Sequence, residues 1–185
     1  MHRLPATLFL FLATAPVAAQ LPSMTKEHKL LAKQAGRWDA EMEYLDFETG
    51  KPARSKGISI RRQPLGGFWL IDNFQAEMMG MQFKGMGTTG YDPLKKKLVG
   101  TWIDSMTPSL MVVEGGWDKD RKVMTLSGMG VGQDGKPSRT TLKTTVHSDD
   151  RHVFEMFSQM PDGNDVKVME ITYTRRKREL DAVRK

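Results

Sequence analysis

Residues 85–105 read GMGTTGYDPLKKKLVGTWIDS, which predicts two β-strands joined by a turn. Asp92-Pro93 opens the turn, because proline presets φ for a turn corner and has no N–H for a strand ladder. The two strands contain four glycines, at Gly85, Gly87, Gly90 and Gly100. Glycine weakens a strand interior, so these positions indicate sharp bends or a close approach of other parts of the chain. A closed, strongly bent barrel accounts for them.

The same pattern of short extended runs and polar turns continues through the chain after Gly36. We predict ten strands, at Trp38–Phe47, Ser55–Gln63, Phe68–Glu77, Gln82–Tyr91, Leu98–Ser105, Leu110–Trp117, Val123–Met129, Ser138–His147, His152–Gln159 and Val166–Arg175. No crossover helix separates them, so consecutive strands must pair antiparallel. Such a long meander hides its edges by closing. The sequence therefore predicts an all-β fold, an antiparallel up-and-down barrel of about ten strands, preceded by a short helix from Thr25 to Ala35.

The first nineteen residues have the layout of a secretory signal peptide. Arg3 lies in a short positive start, the run from Leu4 to Ala15 is mostly apolar, and small residues end at Ala19, where we expect the cleavage. The alternative is a membrane anchor, but the apolar run is shorter than the roughly 20 residues that span a bilayer. We expect an exported protein, periplasmic or secreted, without stable membrane insertion. One barrel domain would cover residues 20–176, and a basic tail residues 177–185.

The amino-acid composition excludes several kinds of chemistry and partner. The 185 residues contain no cysteine, which excludes disulfides, thiol catalysis and cysteine-ligated metals within them. The formal charge is +6, of which residues 175–185, with six basic and two acidic side chains, contribute +4. The body is therefore near neutral, and no aromatic residue interleaves with the basic tail, so we expect no nucleic-acid partner. The tail is either solvated or weakly attracted to an anionic surface.

A family resemblance rests on motifs spread along the chain. Gly36-Arg37-Trp38 resembles the opening of lipocalin-type barrels, in which a Gly-x-Trp closes one end. Further matching segments follow in order, at Gly66–Trp69, Gly85–Lys96, Gly100–Met106 and Glu170–Arg175. Over about residues 26–176 the chain resembles a bacterial family catalogued as domain of unknown function 1579. The resemblance implies a lipocalin-like barrel and carries no catalytic residue over to this chain.

Five residues on otherwise apolar strand faces form the candidate ligand-binding wall of the barrel lumen: Trp102, Asp104, Glu114, Glu155 and Glu170. An inward carboxylate is costly unless it is paired, so several on one wall would make a polar pocket suited to proton transfer. Arg61 or Arg62 would serve as the charged partner. In the alternative, these faces point outward and the opposite faces, with Phe154, Met156, Ile171 and Tyr173, fill the barrel.

Methionine and histidine suggest further sites, each with a simpler explanation. Fourteen methionines are present, and the cluster from Met78 to Met81 fits an adaptable apolar lining. Its alternative is Cu(I) binding by thioethers such as Met79 and Met81. His147 and His152 flank a predicted turn without a third ligand, so we expect exposed turn histidines, with haem ligation as the alternative. We expect no metal and no cofactor, and no nucleophile elbow or dinucleotide-binding loop is present.

Three functions remain open at this point. The first is a non-catalytic barrel that binds a small, largely apolar molecule in its lumen. The second is an enzyme on the same barrel with inward Glu or Asp as acid or base. The third is a structural or interaction module with a filled barrel, because a fold alone does not choose a function.

Overall fold

In the computed structural model, ten antiparallel strands close into one barrel in sequence order, with β1 paired to both β2 and β10. The structure describes residues 22–46, 49–132 and 135–177. The predicted signal peptide and most of the predicted tail lie outside them. A short helix precedes the strands, and the elements are α1 (Lys26–Ala32), β1 (Gly36–Asp46), β2 (Lys51–Arg62), β3 (Trp69–Met78), β4 (Met81–Asp92), β5 (Lys97–Asp104), β6 (Met111–Trp117), β7 (Val123–Val131), β8 (Pro137–Ser148), β9 (Arg151–Gln159) and β10 (Asp165–Arg175). The predicted fold class is confirmed.

Helix α1 covers one end of the barrel. Its start is fixed by His28, whose Nδ1 accepts a hydrogen bond from the backbone N–H of Thr25 at 3.1 Å. Leu31 is fully buried among Leu70, Leu98 and neighbouring core residues at the start of β3 and β5. The helix ends earlier than predicted because the N–H groups that follow it bond three residues back, as that of Lys33 does to Leu30.

The predicted Gly-x-Trp opening closes this same end. Trp38 is 1% exposed and donates its indole N–H to the Gln34 carbonyl at 3.0 Å. The Arg175 guanidinium lies 4.1 Å from the centre of the Trp38 ring and donates to the carbonyls of Ala35 and Lys33. The end of the last strand is thereby tied to the start of the first, and we call the opposite end of the barrel the mouth.

Strand β2 begins four residues earlier than predicted. Pro52, expected in a turn, pairs with Leu45 of β1. Pairing between β2 and β3 begins only at Gly57, so the first part of β2 has a partner on one side. Proline is tolerated there because its missing N–H costs no ladder bond on an unpaired side.

The core consists of two clusters inside the barrel. One lies along β10, β1 and β3 and includes Trp38, Met42, Phe74, Ile171 and Tyr173. The other lies at the α1 end and contains Leu31, Leu70, Leu98, Val113, Met124 and Leu126. Within the described part of the chain, no helix has the length and apolarity needed to cross a bilayer.

Candidate functional site

Trp102 and Asp104 face the barrel interior, as the candidate lumen wall requires. Trp102 packs against the first core cluster, and its indole N–H donates to Oδ2 of Asp104 at 3.0 Å. The other carboxylate oxygen of Asp104 accepts the backbone N–H groups of Met106 at 2.9 Å and Thr107 at 2.8 Å. Asp104 thus links the inner indole to the loop at the mouth. The role of both residues in ligand binding stays a prediction.

The strand glycines explain how that indole fits against the wall. Trp102 pairs with Gly87 across β4 and β5. A Cβ at Gly87 would lie 3.0 Å from the Trp102 ring, and one at Gly85 would collide with it. The two glycines therefore form a flat strip of backbone under the aromatic ring, which is the close approach that the sequence indicated.

Glu114 faces outward, so its predicted place in the lumen is wrong. Its two carboxylate oxygens pair with Lys97 at 2.6 Å and Lys95 at 3.7 Å. The hydrogen bond from Lys97 holds the pKa of Glu114 below its ordinary value. Because Val113 is 4% exposed and points inward, alternation sends Glu114 to the outer face. The apolar companions that suggested an inner face, Leu110 and Val112, are themselves exposed.

The predicted lumen positions of Glu155 and Glu170 are also wrong. Glu155 pairs with Lys143 at 3.2 Å and Lys167 at 3.5 Å, and Glu170 shares Lys167. In β9 it is Phe154 that packs on the core. In β10 a register shift between Lys167 and Met169 breaks the alternation on which the Glu170 prediction depended. Together with Lys143 and Lys167, these two glutamates form an ion-paired strip on the outer wall.

A buried polar network that the sequence did not assemble lies inside the barrel near the α1 end. Arg61, 8% exposed, donates from Nε to Oδ2 of Asp72 at 2.9 Å. Ser59 donates its hydroxyl to Oδ1 of the same carboxylate at 2.7 Å. Burial opposes the charged guanidinium, but the Asp72 carboxylate and the Tyr173 hydroxyl outweigh it and raise the pKa of Arg61. A paired buried charge of this kind is stable only while both partners remain.

His152 completes this network and is not the exposed turn histidine that we expected. It is 2% exposed and its Nε2 lies 2.7 Å from Nη1 of Arg61. Burial, and after it the charge of Arg61, lowers the pKa of His152 to about 2, so the ring is neutral and its Nε2 accepts a hydrogen bond from Arg61. It stacks on Tyr173 at 4.7 Å. Burial also raises the pKa of the Tyr173 hydroxyl. His147 is exposed, as predicted.

Beside this network, some apolar side chains of the inner wall are only partly buried. Five apolar residues point inward by register or core packing yet remain partly accessible to solvent, namely Trp102, Met111, Leu142, Phe154 and Met156. The Asp72 side chain, 20% exposed, lies at their border, because Asp72 pairs with Gly87 under the Trp102 ring. These five residues therefore form a partly accessible apolar surface inside the barrel, with a carboxylate at its edge.

Two cavities are open to solvent. One of about 120 Å³ lies between β1 and β10 beside Tyr44, Pro52 and Met169. The other, of about 270 Å³, lies over Gly85 and is bordered by Phe74, Met86 and Asp104. Across the described residues, no group of three or more His, Asp or Glu side chains is arranged to hold a metal ion.

Sequence reasoning named some members of the network but not the network itself. Arg61 was a candidate charge partner, and His152 a candidate ligand. Ser59 on β2 and Asp72 on β3 were missed, although each alternates with outward-facing residues along its strand. The available signal was that an Arg in β2 and an Asp in β3 fall on the core-facing side of adjacent strands, where charges must pair.

The fold and these residues can now be set against known proteins. The family described as "Protein of unknown function (DUF1579)" matches residues 23–175. The chain belongs to this family. None of the curated proteins matches it.

Among solved structures, one shares the barrel of this DUF1579 chain. The crystal structure of Rv2717c from M. tuberculosis is similar with a TM-score of 0.62 at 11% identity, over 84% of this chain and 100% of that chain. A redesigned beta barrel, mFAP1, bound to DFHBI, is similar with a TM-score of 0.40 at 17% identity, over 82% of this chain and 100% of that one. At such low identity the first similarity supports the fold alone.

Proposed function

We propose that this DUF1579 protein is an exported, non-catalytic barrel that binds a small, largely apolar molecule in its interior. The observation that supports this proposal is the partial accessibility of the inward-facing residues Trp102, Met111, Leu142, Phe154 and Met156. In a filled barrel these side chains would be as buried as Met42 and Ile171, at 3% and 4% exposure. Flexible methionines and aromatic rings suit an adaptable apolar surface.

The carboxylate at the border of this surface favours a ligand with a hydrogen-bond donor at one end. Each oxygen of Asp72 accepts one described side-chain hydrogen bond, from Arg61 or from Ser59. A carboxylate oxygen can accept more than one. The proposed ligand is therefore an apolar body with a hydroxyl or amine that reaches Asp72 beside the Trp102 ring.

Most of the carboxylates that the enzymatic alternative requires do not face the lumen. Of the four carboxylates predicted to line the lumen, Asp104 alone faces inward, and its oxygens accept hydrogen bonds from Trp102 and the mouth loop. Glu114, Glu155 and Glu170 are ion-paired outside.

Titration with 1-aminoanthracene, an apolar fluorophore with one amine, tests the binding proposal. We expect saturable binding to the purified protein. Met156→Trp, which adds bulk to the accessible inner surface, should weaken it by about tenfold or more, because the larger side chain would occupy apolar surface that the ligand needs. The control Thr125→Trp adds the same side chain on the exposed outer wall and should leave binding unchanged. Absence of saturable binding, together with bare masses in native mass spectrometry of several preparations, would contradict the proposal.

Export is tested separately. Expression of the full chain in a Gram-negative host, followed by fractionation and N-terminal sequencing, should give a periplasmic or secreted protein that begins at Gln20. A cytoplasmic protein with residues 1–19 intact would contradict export and leave the binding proposal untouched.

A further inference from the structure

The end of the barrel that α1 covers is strongly basic. Six segments of the chain meet there, residues 22–37, 62–69, 92–97, 117–123, 147–151 and 175–177. Together they contain fifteen Lys or Arg side chains and six Asp or Glu side chains, whereas the other described residues contain nine and twelve. The net charge is therefore +9 at this end and −3 over the rest of the described chain. We call these six segments the basic end.

Four of the six carboxylates at the basic end are tied to neighbouring groups. Asp149 pairs with Lys33, and Asp150 pairs with Arg175. The other two accept backbone N–H groups of their own turns, and they are those of Asp92 and Asp118. These carboxylates therefore do not form an acidic surface of their own.

Many cations at the same end have no carboxylate beside them. Lys95 and Lys97 pair with Glu114 of the outer wall, and Arg176 pairs with Asp39. Within the described part of the chain, no ion pair engages the following exposed cations: Lys26, Lys29, Arg62, Lys96, Lys122 and Arg151. A surface with this excess of free cations complements anionic lipid headgroups, to which each nearby Lys or Arg adds attraction.

Two leucines protrude from the basic end. Leu94 is 94% exposed in the β4–β5 turn, where Oδ1 of Asp92 accepts its backbone N–H at 2.8 Å. Leu65 is 71% exposed in the β2–β3 connection and has a φ of 55°, in the left-handed region that leucine rarely adopts. The Gln63 side-chain amide fixes that connection by donating to one carbonyl of α1 and to one of the connection itself. The fold thus holds two apolar side chains out in solvent on fixed turns.

An indole lies between the two leucines. The strands that carry them are neighbours, because Trp69 of β3 pairs with Gly90 of β4. Trp69 is 36% exposed, and its ring covers Gly90, where a Cβ would lie 2.6 Å from it. Leu65 stands four residues before Trp69, and Leu94 stands four residues after Gly90. Leucines beside a partly exposed indole and a run of lysines are the side chains that sit at a membrane–water boundary.

From these observations we infer that the basic end docks the barrel onto an anionic lipid surface. Leu65 and Leu94 enter the boundary between headgroups and acyl chains, Trp69 lies at headgroup level, and Lys26 and Lys96 contact the headgroups. The docking is peripheral and directs the mouth away from the lipid. The inference stands on the outer surface alone and does not require an interior ligand.

Other occupants fit this end less well. A second copy is disfavoured, because an isologous contact would bring two faces of net charge +9 together. A nucleic acid would meet the phosphate attraction of the lysines, but the groups that protrude furthest are aliphatic leucines, which offer no face for base stacking. Lipid is the anionic partner that uses both the charge and the leucines.

Co-sedimentation with vesicles tests the inference. The mature chain, residues 20–185, should sediment with vesicles of equal parts phosphatidylcholine and phosphatidylglycerol, and much less with phosphatidylcholine alone. Leu65→Asn with Leu94→Asn should weaken binding about tenfold, because it removes the apolar area that enters the lipid. Asparagine tolerates a left-handed backbone, so the change at position 65 should keep the fold, and urea unfolding checks this.

The matched control makes the same kind of change at the mouth. Met79→Asn with Leu110→Asn removes side chains that are 43% and 60% exposed, and Met79 has a left-handed φ of 51°, as Leu65 nearly does at 55°. This variant should bind as the wild type does, because the mouth points away from the lipid.

Charge variants test the second half of the contact. Lys26→Glu with Lys96→Glu should weaken binding to the anionic vesicles by at least tenfold, and the same pair changed to Arg should retain it. The control Lys56→Glu with Lys84→Glu, exposed on the mouth half of the outer wall, should change binding by less than about threefold, because salt screens distant charges. Removal of residues 178–185, with net charge +1, should weaken it by about fivefold or less.

Several results would overturn the inference. Sedimentation of the wild type with neither vesicle, or equally with both, would do so. A leucine variant that binds as the wild type does would show a general polyanion surface instead of a lipid contact. Mouth variants that lose as much binding as their counterparts at the basic end would remove the orientation, and complete loss of binding without residues 178–185 would assign it to the tail.

Discussion

The two halves of the barrel interior follow the same alternation but differ in how well they are filled. Along β10, β1 and β3 the inner residues Met42, Phe74, Ile171 and Tyr173 are between 3% and 5% exposed. On β5, β6 and β9 the inner residues Leu98, Val113 and His152 are buried as well, but Trp102, Met111, Leu142, Phe154 and Met156 keep partial exposure. We call the buried inner residues the packed half and these five residues the accessible half; the first holds the fold, and the second is free to serve as a surface. Matched substitutions in the two halves should therefore change stability by different amounts.

The largest effect is expected where the packed half contains a charge. Arg61→Met removes the partner of Asp72 and the donor to His152. Loss of one member of a buried ion pair costs about 3–5 kcal/mol, and the partial exposure of Asp72 places this variant near the lower bound. The free energy of unfolding in urea measures it. The double variant Arg61→Met, Asp72→Leu should recover part of the loss, because no charge is then left unpaired. A double variant as unstable as the single one would contradict this account.

Methionine truncation compares the two halves directly. Met42→Ala in the packed half should lower the free energy of unfolding by about 3 kcal/mol, as buried Met to Ala changes do. Met156→Ala in the accessible half should cost about 1 kcal/mol, because solvent already reaches the side chain and less new cavity forms. Urea midpoints at equal slope provide the measurement. Equal losses at the two positions would mean that the interior is uniformly packed.

Two glycines sharpen the same contrast. A Cβ at Gly57 would lie 2.7 Å from the Gln75 carbonyl oxygen and 2.9 Å from the Phe74 ring. Gly57→Ala should therefore cost about 2 kcal/mol, since backbone cannot move aside. At Gly85 the clash is with the Trp102 ring, which can shift into the accessible half, so Gly85→Ala should cost about 1 kcal/mol.

Gly116→Ala is the control for both glycine variants. A Cβ there meets nothing within 4 Å, and the unfolding free energy should change by about 0.5 kcal/mol or less. If Gly85→Ala proves as costly as Gly57→Ala, Trp102 is held rigidly and the accessible half is less adaptable than proposed.

The same residues show how much of the fold could be predicted from the sequence. Turn chemistry and alternation predicted all ten strands, because each hairpin is a local feature that neighbouring residues determine. It was harder to predict which face of each strand points into the barrel. Leu110 and Val112 are apolar, so they suggested an inner face for Glu114, but both are exposed to solvent. At Glu170 a β-bulge shifted the alternation, and a single sequence carries no clear mark of it.

The buried network was out of reach for a different reason. Arg61, Asp72 and His152 lie on three strands, and His152 is 91 residues from Arg61. Their contact depends on closure of the barrel, which sets β1 and β10 side by side. The pattern could place each residue on a strand, but it could not show which of them meet.

A further small effect is a dependence of stability on pH. His152 has its pKa lowered by burial to about 2, whereas an unfolded histidine titrates near 6.5. Below the unfolded pKa the unfolded chain takes up a proton that the folded one does not, so stability is present above about pH 6.5 and declines as the pH falls toward the folded pKa. Between pH 6.5 and 5.5 this group should lower the free energy of unfolding by about 1 kcal/mol.

Urea unfolding at these two pH values provides the measurement. His152→Gln retains an acceptor for Arg61 but does not titrate, so its stability should change less than that of the wild type over the same interval. His147→Gln, at an exposed position, should behave as the wild type does. A wild type and His152→Gln with the same pH dependence would show that His152 takes up a proton as readily in the folded barrel as in the unfolded chain. The packed half would then admit enough water to hydrate an imidazolium, and its contrast with the accessible half would disappear.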